Sequence, residues 1–205
     1  MTPLYEDVAL LAVDKPAGLL AVPGRGEDKQ DCLWQRVREF WPDALVVHRL
    51  DMATSGLMLF ARGADMQRRL SRAFASRQVH KSYVAVVAGR MSAAQGRIEL
   101  PLIADWPRRP VQKVDPQQGK PSITDWQLLA FDAEGQTSRL ALQPLTGRTH
   151  QLRVHLAAIR HPILGDALYA PPALQGGRLM LHAQALRFAH PLDGRLLQLR
   201  CEPPF

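Results

Sequence analysis

Charged and hydroxyl-bearing side chains are most concentrated between His48 and Gly56, where the chain reads His-Arg-Leu-Asp-Met-Ala-Thr-Ser-Gly. The segment lies between two apolar runs, so we expect it to form a loop at one end of a sheet. The carboxylate of Asp51 could act there as a nucleophile or a base. The alternative is an ordinary turn in which Asp51 caps backbone N–H groups and Arg49 pairs with an acid. Residue types alone favour that turn slightly.

Two further side chains, Tyr83 and Arg153, could take part in catalysis. Tyr83 lies in an apolar run, residues 82–88, that predicts a strand. Arg153 lies in residues 149–159, whose apolar positions have helical spacing and whose first residue, Thr149, could cap the helix. On residue type alone, Tyr83 is better explained as a core tyrosine with a satisfied hydroxyl. Arg153 is likewise better explained as half of an ion pair on the helix surface.

The chain is basic, with 26 Lys plus Arg against 19 Asp plus Glu and a net charge of +7, and only five of the cations are lysines. Arginine binds phosphate through a planar fork and stacks on bases, so this bias suits a nucleic acid. Two segments concentrate the charge: a predicted amphipathic helix over residues 64–78 and a predicted loop over residues 106–120. A solvated basic face is the alternative for both. The phosphate contacts that we expect are Arg68, Arg69, Arg72, Arg108, Arg109 and Lys113.

Several classes of protein are not expected. Cys32 and Cys201 have no metal-type spacing, and neither a His-Glu-x-x-His motif nor a phosphate-binding glycine loop occurs. We therefore expect no metal and no cofactor. The N-terminus has no signal-peptide pattern, and no apolar run reaches transmembrane length. The expectation is a cytoplasmic monomer with no membrane association.

Short apolar runs predict more strands than helices, and hairpins outnumber strand–helix–strand units. These patterns favour an α+β fold, in which a largely antiparallel mixed sheet has flanking helices. A first helix is expected over residues 32–41, ended by Pro42, and a strand over residues 98–103 despite Pro101. We expect one catalytic domain over residues 1–205.

The loop around Asp51 resembles the first motif of the RluA family of pseudouridine synthases, which reads His-Arg-Leu-Asp-x-x-Thr-Ser-Gly. The resemblance extends in the family's order over almost the whole chain. Its other parts are Lys15-Pro-x-Gly18, Lys81-Ser-Tyr83, Gly147-Arg-Thr-His-Gln-Leu-Arg-Val-His155, His161-Pro-Ile-Leu-Gly-Asp166 and Leu181-His-Ala183.

The resemblance implies the pseudouridine synthase catalytic fold and the isomerisation of specific uridines in structured RNA. It makes Asp51 the essential carboxylate, places Arg153 beside that carboxylate and sets Tyr83 against the target base. It also implies that the uridine is flipped out of the stack, that Arg49 fills the gap, and that His48 belongs to the RNA-binding set. The reaction is an isomerisation, so it needs no redox cofactor.

Many family members begin with an RNA-binding domain of S4 type, whereas here the catalytic pattern starts within the first ten residues. The resemblance is therefore to the subgroup without that domain, whose substrates are a 23S rRNA hairpin and the anticodon stem-loop of certain tRNAs. A non-catalytic RNA-binding protein on the same fold is the main alternative. A hydrolase or nuclease is a weaker one, because it would need a second carboxylate or a metal set.

Overall fold

The computed structural model describes residues 1–205 and contains three α-helices and twelve strands. The helices are α1 (Leu33–Arg38), α2 (Gly63–Ala75) and α3 (Gln151–Ala158). The strands are β1 (Tyr5–Glu6), β2 (Leu10–Lys15), β3 (Ala44–Val46), β4 (Ser55–Arg62), β5 (His80–Ala88), β6 (Gln95–Glu99), β7 (Leu102–Ala104), β8 (Gln112–Val114), β9 (Ile123–Asp132), β10 (Thr137–Pro144), β11 (Leu181–Ala189) and β12 (Leu196–Arg200). The predicted α+β class is confirmed. None of the helices combines the length and the apolar character that crossing a bilayer would require.

The chain divides into two compact units, which we describe in turn. The first contains Met1–Lys81 and His182–Pro204, and the second contains Ser82–Leu181 with Phe205. In the first unit β2 pairs with β1 and β4, β3 also pairs with β4, and β12 pairs with β11, all of them antiparallel. The pairing of β4 with β11 is parallel.

Strand β4 is central to the first unit because it is buried on both faces. Such a strand is apolar throughout rather than alternating, which explains the run Gly-Leu-Met-Leu-Phe-Ala. Leu57 and Leu59 pack in one core cluster with Leu70 of α2. Met58 and Phe60 face the opposite way, into a second cluster that contains Leu33 and Val37 of α1. The two helices therefore cover opposite faces of β4.

Both helices of the first unit are shorter than the sequence predicts. Helix α1 ends at Arg38 rather than at residue 41. Helix α2 ends at Ala75 rather than at residue 78 because Arg77 has a φ of 61°, in the left-handed region that stops a helix. Arg68, Arg69 and Arg72 remain within α2, as expected.

The second unit contains an antiparallel sheet in the order β5-β10-β9-β6 and a separate hairpin of β7 with β8. The single strand expected over residues 98–103 is wrong. Strand β6 ends at Glu99 and β7 begins at Leu102, since Pro101 between them has no N–H for a ladder. The segment predicted as a loop over residues 106–120 also contains β8.

The predicted capping of α3 by Thr149 is also wrong. The helix begins at Gln151 after His150, which has a left-handed φ of 53°, and no side chain caps it. The side chain of Gln151 holds this turn instead, because its Oε1 accepts hydrogen bonds from the Thr146 hydroxyl (2.7 Å) and from the Arg148 N–H (3.0 Å).

We expect Gly56, next to the Asp51 loop, to tolerate no side chain. Its φ is +113°, and a Cβ there would lie 2.6 Å from the Ala183 nitrogen, in the backbone of the paired strand. Gly56→Ala should therefore lower the free energy of unfolding by roughly 2–4 kcal/mol in urea titrations. Gly63→Ala is the matched control because Gly63 has a φ of +78° with nothing within 4 Å. It should cost only about 1 kcal/mol, and equal losses would contradict the steric argument.

Candidate functional site

The loop that carries Asp51 connects β3 to β4, as the sequence predicts. It is a tight turn, because the Thr54 N–H donates to the Asp51 carbonyl at 3.1 Å. Leu50 and Thr54 are buried and anchor the turn, whereas Arg49 is exposed and Asp51 is half-buried. The loop therefore holds its carboxylate at the protein surface between two buried side chains.

The buried ammonium of Lys15 braces this loop. The residue has 0% exposure, and its Nζ donates to the carbonyls of Pro16 (2.9 Å), Leu19 (2.7 Å) and Met52 (2.9 Å). An ammonium has three N–H donors, so these carbonyls satisfy all of them. The Met52 carbonyl also accepts the Gly18 N–H at 2.9 Å. The segment Lys15–Gly18 thus fixes the residue that follows Asp51.

The charge of Lys15 matters as well as its hydrogen bonds. Burial lowers the pKa of its ammonium to about 8, against the opposing attraction of the Asp51 and Asp14 carboxylates. At neutral pH Lys15 is therefore still mostly protonated, and it supplies a positive charge that attracts Asp51. The turn interpretation of the first motif, in which Arg49 provides the cation for the loop, overlooked this lysine.

His48 also holds the loop in place. Its ring stacks on Phe74 of α2, with centroids 4.5 Å apart, and its Nε2 accepts the Leu59 N–H of β4 at 2.9 Å. Burial, and then the charge of Lys81, lower the pKa of His48 to about 3, so the ring is neutral. These contacts give His48 a bracing role. Its expected part in RNA binding stays a prediction.

A cluster that the sequence analysis missed lies at the far side of Ser55. His182 Nδ1 is 2.8 Å from the Ser55 hydroxyl, and its Nε2 is 3.1 Å from the Cys201 carbonyl. Potential metal-ligand atoms of Asp14, His182 and Cys201 all lie within 4.8 Å of one another. Burial, followed by the charge and hydrogen bond of Asp14, raises the pKa of the Cys201 thiol to about 12. The three side chains could ligate a cation only by giving up these hydrogen bonds.

In the second unit Arg153 is buried, so its interpretation as half of a surface ion pair is wrong. Its Nε and Nη2 donate to the two oxygens of Asp166 at 2.8 and 2.7 Å. Its guanidinium lies 5.1 Å from the ring centroid of Tyr169. Asp166 also accepts the N–H groups of Leu168 and Tyr169. The orientation of Arg153 is therefore fixed from several sides.

The Tyr169 hydroxyl connects α3 with strand β8. It accepts the Gln112 N–H at 2.8 Å and lies 2.6 Å from His150 Nδ1. A backbone N–H can only donate, so the Tyr169 oxygen accepts from Gln112. The helix is held at its other side by His155, whose ring lies 2.9 Å from the Thr124 hydroxyl and 3.0 Å from the Leu100 carbonyl.

Tyr83 lies on β5, opposite Leu142 of β10, and is half-buried. The structure thus assigns the predicted catalytic residues to both units. Asp51 belongs to the first unit, and Tyr83 and Arg153 belong to the second. The roles that the resemblance implies for all three stay predictions at this point.

The expected phosphate contacts are exposed, and most have an acidic neighbour. On α2, Asp65 pairs with Arg68 (3.1 Å) and with Arg69 (3.0 Å). Arg72 is exposed on the same helix. In the second unit Arg108 pairs with Asp105, Lys113 lies 3.6 Å from Asp115, and Arg109 lies over Trp106. Exposed pairs contribute only about 0–1 kcal/mol, so Arg68, Arg69 and Lys113 can exchange their partners for phosphate. The partner of Arg108 differs, because Asp105 is buried.

Comparisons with known proteins agree with the motifs. Residues 9–158 match the model of the RNA pseudouridylate synthase family. The chain is 46% identical to the dual-specificity RNA pseudouridine synthase RluA of Yersinia pestis, over the full length of both. It is 49% identical to the protein of that name from Vibrio cholerae, over 92% of this chain and 77% of the relative. The solved human RNA pseudouridylate synthase domain containing 1 is similar at a TM-score of 0.83 and 30% identity, covering 100% of this chain and 84% of the human one.

We expect Lys15 to titrate well below ordinary lysines. In a pH titration with ¹³C-labelled lysine, the chemical shift of one ε-carbon should change with a midpoint near pH 8, whereas exposed lysines titrate at about pH 10.4. Because the folded-state pKa lies below the unfolded one, protonated Lys15 costs stability below pH 8. That cost is relieved as the pH rises from about 8 to 10.5.

The pKa of Lys81 is also lowered, so the resonance is assigned by its loss in Lys15→Met, or by elimination in Lys81→Met. A midpoint above about 10 for the Lys15 resonance would contradict a buried ammonium.

Proposed function

The chain belongs to the RNA pseudouridylate synthase family and is a pseudouridine synthase, and on that premise we propose that Asp51 is its essential carboxylate. One observation carries the proposal. The loop of the intact first motif holds the Asp51 carboxylate half-buried, with the buried Lys15 ammonium donating to the carbonyl of the next residue. No other acidic residue of the chain stands in that motif.

The reaction that we propose for Asp51 starts at the sugar of the target uridine. The N1–C1′ bond breaks, the uracil turns within the site, and a C5–C1′ bond forms while C5 loses its proton and N1 gains one. The ionised carboxylate acts at the sugar as nucleophile or base, and its charge stabilises an oxocarbenium-like centre. Substrate and product are isomers, so the reaction consumes no co-substrate.

The positive charge near the Asp51 carboxylate supports this chemistry. Lys15 supplies a positive charge that Asp51 attracts, and opposite charges favour ionised groups in a site from which water is excluded. Tyr83 and Arg153 are proposed to serve the same reaction on the family resemblance. The bidentate pairing of Arg153 with Asp166 supports a positioned guanidinium, because a planar fork held at two atoms cannot swing.

We propose that the uridine is flipped out of its stack, as an enzyme acting on a stacked base requires, at a cost of a few kcal/mol. Arg49 would fill the gap in the RNA. Its exposure on the Asp51 loop supports this role, because the side chain is free of the core and only two residues away from the carboxylate.

The substrates that we propose are a 23S rRNA hairpin and the anticodon stem-loop of certain tRNAs, bound by a cytoplasmic monomer. The support is the 46% identity, over the full length of both chains, to a relative named as a dual-specificity enzyme. We also propose that residues 1–205 act as one catalytic domain. The family match over residues 9–158 supports this, since it runs through sequence from both units.

Asp51→Asn should abolish product formation while the fold and the RNA affinity are retained. The amide is nearly the same size but cannot act as a nucleophile or base, so we expect a loss of roughly 10³-fold or more. Tritium release from a stem-loop labelled at uridine C5 measures the reaction, and filter binding measures the affinity. Asp43→Asn is the matched control, since Asp43 is an exposed partner of Arg62. Activity of Asp51→Asn near that of Asp43→Asn would remove Asp51 from catalysis.

The arginines of α2 should contribute to a salt-dependent RNA affinity. The logarithm of the affinity should fall linearly with the logarithm of salt concentration, by roughly 0.7–0.9 per neutralised phosphate. The double change Arg68→Gln and Arg72→Gln should make this slope less steep by about the contribution of two phosphates, one for each arginine. The control is Arg36→Gln with Arg38→Gln on α1, which removes the same charge. If both doubles flatten the slope equally, only net charge matters and α2 is not a contact.

A further inference from the structure

The tip of the β7–β8 hairpin is held together by its own hydrogen bonds. Its residues 105–111 are closed by the Asp105 N–H donating to the Val111 carbonyl at 2.9 Å. Inside the tip, the Arg108 N–H donates to Asp105 and the Val111 N–H donates to Arg108, both at 3.0 Å. The Arg108 side chain also bonds the Asp105 carboxylate, at 2.7 Å from its Nε. The tip is therefore ordered by its own backbone and ion pair.

This tip exposes an aromatic side chain that the fold does not use. Trp106 is 65% exposed, the largest side chain among the exposed hydrophobic residues. Arg109 lies over its ring, with the guanidinium carbon 4.6 Å from the ring centroid. Burial of a large aromatic side chain stabilises a protein, so packing does not explain an exposed tryptophan on an ordered tip.

The surroundings of Trp106 suit a nucleotide. Arg109 and Lys113 are exposed cations on the hairpin, and Arg108 is largely exposed beside them at 73%. Indole and guanidinium planes both stack on bases, and the same cations can bind the adjoining phosphates. The first residue of β8, next to the tip, is fixed as well, because the Gln112 N–H donates to the Tyr169 hydroxyl.

We propose that Trp106 and Arg109 form a stacking platform for an unpaired nucleotide of the RNA, separate from the target uridine. The proposal rests on the proposed function for the identity of the partner. It adds a contact between the protein and the π face of an unstacked base. Such a platform is tolerant of base identity. It would therefore favour RNAs with a splayed loop nucleotide over fully paired ones.

The test compares Trp106→Ala, Trp106→Leu and Trp106→Phe by their affinity for a stem-loop RNA. If a base stacks on Trp106, Trp106→Ala should bind roughly 5- to 150-fold more weakly. Trp106→Phe should retain most of the affinity, and Trp106→Leu should be as weak as the alanine variant, because leucine is apolar but has no π face. Phe40→Ala is the matched control for loss of an exposed aromatic, since Phe40 is 57% exposed.

Two further measurements separate stacking from its alternatives. The affinity for a fully paired duplex should change by less than twofold in all variants. 2-Aminopurine placed along the loop should be quenched at one position by the wild type but not by Trp106→Ala. The melting temperature should stay within about 2 °C, because Trp106 is exposed. A stem-loop affinity of Trp106→Ala within twofold of wild type, or full rescue by leucine, overturns the proposal.

The binding comparison does not depend on the catalytic role proposed for Asp51. The comparison of affinities measures bound RNA and needs no product formation, because the platform acts in binding. If wild type formed no pseudouridine at all, the proposed function would fail, while the binding comparison would still decide whether Trp106 stacks on RNA.

Discussion

The conformation of the Asp51 loop depends on one buried cation. The Lys15 ammonium has no solvent exposure, and an unpaired charge in such a place would be very costly. Three carbonyls accept its hydrogen bonds, and the negative charges of Asp51 and Asp14 raise its pKa against the effect of burial. A loop that moved away would leave the cation one acceptor short at Met52. The charge therefore makes one loop conformation much more stable than its neighbours.

The second unit fixes a long cation by a different arrangement. Arg153 is held by a bidentate carboxylate and by the ring of Tyr169, and that ring is oriented in turn through its hydroxyl. Supporting contacts of this kind hold a side chain within a narrow geometry. Lysine, with three separate donors, suits three carbonyls, whereas the planar arginine fork suits one carboxylate. The choice of cation thus follows from the acceptors that each unit offers.

Local patterns in the sequence predicted the features that depend on neighbouring residues. The apolar runs predicted the α+β class, the strand-flanked loop of Asp51 and the helical positions of Arg68 and Arg72. Some of the errors concern partners that are distant in sequence, and others concern local backbone geometry, such as the left-handed φ of Arg77 that ends α2. The burial of Arg153 depends on Asp166, and the Ser55 hydroxyl meets His182 across 127 residues. The predicted start of α3 was wrong because the side chain of Gln151, and not that of Thr149, accepts hydrogen bonds from the Thr146 hydroxyl and the Arg148 N–H.

Burial also determines what a substitution can reveal. Removing one partner of a buried ion pair costs roughly 3–5 kcal/mol, a large share of the 5–15 kcal/mol by which an ordinary domain is stable. A substitution at Arg153 would therefore lower the stability of the fold, so that a loss of activity would not by itself show a role in the reaction. The exposed pairs of Arg68 and Arg69 with Asp65 contribute at most about 1 kcal/mol each, so those cations can leave their acid for phosphates while the protein remains folded. Buried cations in this molecule consequently maintain geometry, and exposed cations are available to RNA.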